Sequence, residues 1–216
     1  MKLIIGNKNY SSWSLRPWLL LSAFHVEFTE IQESLAEEGI KERFEQYSPS
    51  GKVPVLLDKD LIVWDSLAIC EYISEKYLDG KGWPKEINKR AEARAVCAEM
   101  HSSFATLRNE MPMNCRASRK LDLSSAAQAD ISKIDAIWSH YTRKNSSTGP
   151  WLFGEFSIAD CFFAPVAFRF STYGVSLSET AEKYSARLLE HESVVAWQNA
   201  AQSETEVIPR DETGIE

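Results

Sequence analysis

The chain has 216 residues with a formal net charge of −7, and 44% of its residues are hydrophobic, seven of them tryptophan. That apolar content supports a substantial core and excludes a disordered protein. The negative charge argues against nucleic acid or an anionic membrane as the main partner.

The N-terminal run Leu3–Ile5 is continuously apolar, as in a strand buried on both faces. Gly6 to Ser12 reads as a polar loop. A helix is expected from about Ser14 to Phe24, with Ser14 as a cap and Pro17 tolerated in the first turn. Val26 and Phe28 alternate with polar residues and read as a second strand. Ile40–Tyr47 reads as a short charged helix, closed by Ser48-Pro49-Ser50-Gly51.

Two apolar strands follow, Val53–Leu57 and Leu61–Trp64, joined by the polar turn Asp58-Lys59-Asp60. Pro54, near the start of the first, gives no N–H to a sheet and suits an edge or a strand start. A cis Val53–Pro54 bond is expected, leaving the Val53 backbone N–H and C=O to an extended peptide ligand. Asp65-Ser66 then opens the helical run Leu67–Tyr77. A helix N-terminus presents unpaired N–H groups and a positive dipole end, suited to a carboxylate. Together these signals favour a peptide-like anionic ligand.

Asp79-Gly80-Lys81-Gly82-Trp83-Pro84 is a breaker-rich linker, and nothing beyond it reads as a strand. Ala93, Val96, Cys97, Met100, Phe104, Leu107 and Met111 share one face of a single long helix. Ile131, Ile134, Trp138 and Tyr141 mark the next. Ser157-Ile158-Ala159-Asp160 has the form of a capping box opening the apolar helix Ile158–Phe170. Weaker helices near 178–190 and 193–203 follow, and the last dozen residues read as frayed. The fold class is therefore a small α/β domain with a mixed four-stranded sheet, joined to an all-α domain. Cys70, Cys97, Cys115 and Cys161 show no metal spacing and read as reduced, buried thiols. No signal peptide or membrane span is expected, and the cytoplasm is the expected compartment.

Four pieces of the chain carry a family likeness: Ser-Ser-Trp-Ser-Leu-Arg-Pro (11–17), Lys-Val-Pro-Val (52–55), Asp-Ser (65–66) and Gly-Glu-Phe-Ser-Ile-Ala-Asp (154–160). The chain resembles the cytosolic glutathione transferases, and among them the serine-type, theta- and zeta-like bacterial members. The resemblance implies a thioredoxin-like domain over 1–78, a linker over 79–90 and a helical domain over 91–216. It implies glutathione as cosubstrate without a metal, and a homodimer with neither nucleic acid nor membrane as partner. Val53 beside Pro54 would hold the cysteinyl backbone of glutathione. Ser66 would take the γ-glutamyl carboxylate, Asp65 would face the amino group, and Lys52 the glycine carboxylate.

A hydroxyl at the first helix would stabilise the thiolate, since a free thiol of pKa ~8.5 is only slightly ionised at neutral pH. Spacing from Arg16 as in the theta and delta classes picks Ser12, whereas alignment on the zeta motif picks Ser11. Tyr10 lies in the preceding loop. The electrophile pocket would lie between the domains, with Trp13, Met100, Phe104 and Met111 as lining candidates and a small apolar electrophile as substrate. His101 reads as a surface or interface residue. Alternatives are a zeta-like, maleylacetoacetate-type isomerase, and a catalytically silent binding module. Trp13 stands where the zeta motif has Cys, which counts against isomerase chemistry. A thiol-reducing role would call for a Cys at the first helix, where this chain has none.

Overall fold

The computed structural model describes residues 1–36 and 38–215. Residues 2–77 build β1 (Lys2–Ile5), α1 (Ser12–Ala23), β2 (Thr29–Gln32), α2 (Ile40–Glu45), β3 (Val55–Asp58), β4 (Leu61–Trp64) and α3 (Ser66–Tyr77). The strands form one sheet in the order β2-β1-β3-β4. β1 runs parallel to β2 and antiparallel to β3, and β3 turns back into β4. Leu3, Ile4 and Ile5 are fully buried because β1 is an inner strand between β2 and β3, with α1 packed against it. The thioredoxin-like arrangement expected from the sequence is the one present.

The regular elements of residues 87–203 are helices: α4 (Ile87–Ser102), α5 (Ala105–Glu110), α6 (Ser125–Lys144), α7 (Ile158–Thr172), α8 (Glu179–Leu189) and α9 (Glu192–Ser203). α7 is the axis of this half, buried along almost its whole length and packed on α1, α4 and α8. Its start is fixed by Asp160, whose carboxylate accepts from Ser157 N at 2.9 Å and Ser157 Oγ at 3.1 Å. The same carboxylate accepts from Leu152 N at 3.3 Å and Tyr184 Oη at 3.0 Å, tying α7 to its entry loop and to α8. The hydrophobic core is continuous across both halves, from Leu3 to Ala201.

Four sequence expectations give way. Val26 and Phe28 belong to the connection before β2: Val26 N–H closes the end of α1 on Leu21 O at 2.9 Å, and Phe28 packs edge-on against Trp18. Val53 and Pro54 precede β3 instead of lying in it. The long helix through Ala93 and Met111 breaks in two at Phe104, which adopts φ +58°. The Arg108 guanidinium donates to Met100 O and Ser103 O, so the last carbonyls of α4 are satisfied without continuing the helix. Periodicity alone cannot detect that break, because the apolar residues keep facing the core on both sides of it. Finally, the C-terminal segment is tied down. Glu204 accepts from Lys8 N and Asn9 N, Glu206 from Asn7 Nδ2, and Glu212 from Tyr10 Oη at 2.5 Å.

Candidate functional site

Two adjoining clefts open where the sheet meets the helical half. The larger, about 500 Å³, is lined by Trp13, Lys52, Val53, Trp64, Ser66 and His101, among others. The second, about 350 Å³, shares Trp13, Lys52 and Val53 with it and adds Ser11, Ser12 and Arg169. Volumes of this size suit a small molecule.

In the first cleft the Val53–Pro54 bond is cis, as expected. α3 starts at Ser66 because Asp65 caps it, its Oδ1 accepting from Leu67 N at 2.8 Å and Ala68 N at 3.4 Å. Asp65 holds φ +74°, a region that non-glycine residues enter at a cost and that is common at ligand sites. The Ser66 Oγ is buried with no partner among the described residues. A buried hydroxyl without a partner is costly, and here it stands at the positive end of a helix, where an anion would complete it.

The other Asp65 oxygen, Oδ2, lies 2.9 Å from His101 Nε2. Burial is the largest of the effects that hold the His101 imidazole below its ordinary pKa, so at neutral pH it is uncharged and donates through Nε2–H. His101, which the sequence reads as a surface or interface residue, lines this cleft from α4.

The second cleft is built around the start of α1. Ser11 is its N-cap residue and Ser12 its first residue, both buried. Their hydroxyls are engaged differently. Ser11 Oγ donates to Ser14 Oγ at 2.7 Å, and Ser14 Oγ also accepts from Gly6 N at 3.2 Å. Ser12 Oγ instead accepts from Arg169 Nη2 at 3.2 Å, which leaves its own proton uncommitted. Tyr10 Oη is occupied away from this point, donating to Glu212 and accepting from Arg116 at 2.8 Å.

Three guanidiniums crowd this region. Arg16 is fully buried between the rings of Trp13 and Phe162, at 4.1 and 4.5 Å, and its Nε and Nη1 have no partner among the described residues. Arg108 lies 5.6 Å from the Trp13 ring, and Arg169 is held by Met111 O and Pro165 O. None of the three makes an ion pair among the described residues. Burial, then the neighbouring Arg169 and Arg108, lowers Arg16 to about 9; burial, then Arg108, lowers Arg169 to about 10. Contact with aromatic faces offsets only part of the cost of such charges, so the region favours an anion.

The structure thus brings Ser11, Ser12, Trp13, Lys52, Val53, Pro54, Asp65 and Ser66 to the paired clefts. Met100, Phe104 and Met111 do not join them: all three are buried in the core and line neither cleft, so the pocket reading of these residues gives way to packing. Arg108 and Arg169 are not among the residues the sequence singles out, and His101 is named there only as a surface or interface residue. One signal could have found Arg169: it is the lone charge in the run Cys161–Phe170, where an uncompensated arginine calls for a reason.

A family model described as the N-terminal domain of glutathione S-transferase matches residues 10–76, and one described as its C-terminal domain matches residues 90–197. The chain is 25% identical over 169 residues to the stringent starvation protein A homolog of Histophilus somni, covering 76% of this chain and 74% of that one. A Burkholderia glutathione transferase homolog solved with bound glutathione superposes with a TM-score of 0.73 at 22% identity, over 94% of this chain and 98% of the other. A bacterial maleyl pyruvate isomerase of the zeta class superposes at 0.74 with 21% identity, over 95% and 100%.

Proposed function

The chain belongs to the glutathione S-transferase family, and from that premise we propose that it binds glutathione in the larger cleft and directs the thiolate at a small electrophile in the adjoining one. The observation that carries this reading is the buried, unpartnered Ser66 Oγ at the start of α3. Ser66 and the helix N-terminus take the γ-glutamyl carboxylate, and Asp65 takes the amino group. The Val53 backbone pairs with the cysteinyl unit beside Pro54, and Lys52 meets the glycine carboxylate. Of the two serines, Ser12 is the donor to sulfur, because the Ser11 proton is spent on Ser14. The thiol proton leaves to solvent, and the Ser12 O–H bonds to the sulfur anion without giving up its own proton.

Calorimetric titration with glutathione tests the anchor. Loss of one charge-assisted hydrogen bond contributes ~1.5–3 kcal/mol, so Ser66→Ala is expected to bind about 10- to 100-fold more weakly. Unchanged affinity removes Ser66 from the site. Binding without turnover of any electrophile would favour the silent-module reading instead.

A second reading is favoured by the charge of the second cleft, where Lys52, Arg108 and Arg169 line the wall. Cations there suit an electrophile with carboxylates, as in maleyl-type isomerisation. In that reaction the thiolate adds to a double bond, rotation follows about the new single bond, and the thiolate is expelled again. Conjugation consumes one glutathione per product, whereas isomerisation consumes none, so thiol loss measured against product formation separates the two.

A further inference from the structure

We propose that Arg169, on the central helix of the helical half, is a positioning residue that makes the Ser12 hydroxyl a stronger donor to the glutathione thiolate. This rests on the reading of Ser12 given above. The geometry has three parts. First, the contact is directional: Arg169 Nη2 donates to Ser12 Oγ at 3.2 Å, so a charged donor occupies one lone pair of that oxygen. An oxygen accepting from a cation holds its own proton more weakly and donates it more strongly, as in any polarised chain of hydrogen bonds. The remaining O–H is then free for the cleft that Ser12 lines.

Second, the guanidinium cannot turn away. Its Nε donates to Met111 O at 2.7 Å and its Nη1 to Pro165 O at 3.3 Å, and only 4% of the residue is exposed. Met111 directly precedes Pro112 and Met113, which line the same cleft. One side chain therefore fixes the wall of the cleft and the first turn of α1 together. Third, the charge is not neutralised. Among the groups facing Arg169 are Arg108, Tyr173, Cys115 and Asp211; Arg108 adds positive field, and Asp211 makes no ion pair with Arg169. Arg16 lies within the same field. A residue serving only to join α7 to α1 would not need a charge in so costly a place; an apolar contact would be cheaper.

The test is the ultraviolet thiolate absorbance of the protein–glutathione complex against pH, read for the wild type, Arg169→Met, Arg169→Lys, Ser12→Ala and the double variant Ser12→Ala/Arg169→Met. The wild-type midpoint is expected below that of free glutathione. Arg169→Met should raise it by about one unit, giving about tenfold less thiolate and a lower kcat at neutral pH, with the KM for glutathione little changed. Arg169→Lys keeps charge but not the fork that reaches Met111 O and Ser12 together, so it should fall between the two. It also serves as the reading variant should Arg169→Met fail to fold. Because Arg169 acts through Ser12, the Met change should move the midpoint by less than about 0.3 unit, a factor of two in thiolate, in the Ser12→Ala background. A wild-type thiolate with an unmoved midpoint in both Arg169 variants overturns the proposal alone. A full shift persisting without Ser12 overturns it too, by showing that the charge acts directly on sulfur. A wild-type complex that ionises no earlier than free glutathione overturns the thiol-activation reading and this inference with it.

Discussion

At the scale of single residues, the difference between two adjacent serines is a difference in where their protons go. Ser11 Oγ donates within the loop to Ser14, whereas Ser12 Oγ receives a bond and keeps a proton to give. Ser12→Ala is expected to lower the rate at pH 7 by about tenfold and to recover much of it at alkaline pH, where the thiol ionises unaided. Ser11→Ala should cost about 1 kcal/mol of stability through the lost Ser14 contact and leave the pH–rate profile in place. Profiles recorded for both variants decide the matter: an alkaline displacement in Ser11→Ala alone would move the role to Ser11. The sequence brings both hydroxyls into view, and the serine-type spacing from Arg16 favours Ser12 while the zeta motif points to Ser11. The choice rests on how each hydroxyl is engaged, Ser11 by Ser14 within the same turn and Ser12 by an arginine more than 150 positions away, which no spacing rule reaches.

At the scale of an element, α7 is the best-specified helix of the chain and the most dependent on one buried acid. Asp160 receives four hydrogen bonds, yet burial dominates and pushes its carboxyl up to about 6 from an ordinary value of 3.8. Between those two values the folded state binds more protons than the unfolded one, so stability falls as pH rises through that window. A shift of about two units corresponds to about 3 kcal/mol between pH 4 and pH 7. Asp160→Asn removes that slope and turns an amide N–H toward groups that donate. It should destabilise the protein by about 2 kcal/mol at pH 7 and by more at pH 4. Urea unfolding of both proteins at the two pH values checks this, and a pH-independent difference would sink it.

At the scale of the whole molecule, one surface is unlike the rest. β4 is an edge strand of the sheet, and Leu61, Ile62 and Trp64 on it are 44%, 43% and 46% exposed. Unprotected apolar edges are prone to pairing, and covering this one with a second copy resolves the exposure. A symmetric homodimer is accordingly expected, with Leu61→Asp/Ile62→Asp reducing the mass seen by light scattering to that of one chain. A wild-type protein that stays at the single-chain mass across a wide concentration range would refute it. Among the described residues no helix is long and apolar enough to cross a membrane.

What the sequence determined by itself was whatever local chemistry fixes. The apolar hairpin after Pro54, the cis Val53–Pro54 bond, the Asp65 cap and the Asp160 capping carboxylate each rest on contacts within a few residues and are present, although Val53 and Pro54 themselves precede the strand. The order of strands and helices, and with it the fold class, followed from those signals. What only the tertiary structure decided lies between elements distant along the chain. Phe104 breaks a continuous apolar pattern because Arg108 takes over the carbonyls of α4. Met100 and Met111 turn to the core while Trp13 keeps the cleft. The acidic tail docks on loop 7–10, and Arg169 reaches Ser12 from the far half of the molecule. Periodicity reports which face of an element is apolar. It does not report which apolar face meets a ligand, or which buried charge meets which hydroxyl, because those depend on how elements far apart in sequence are packed together.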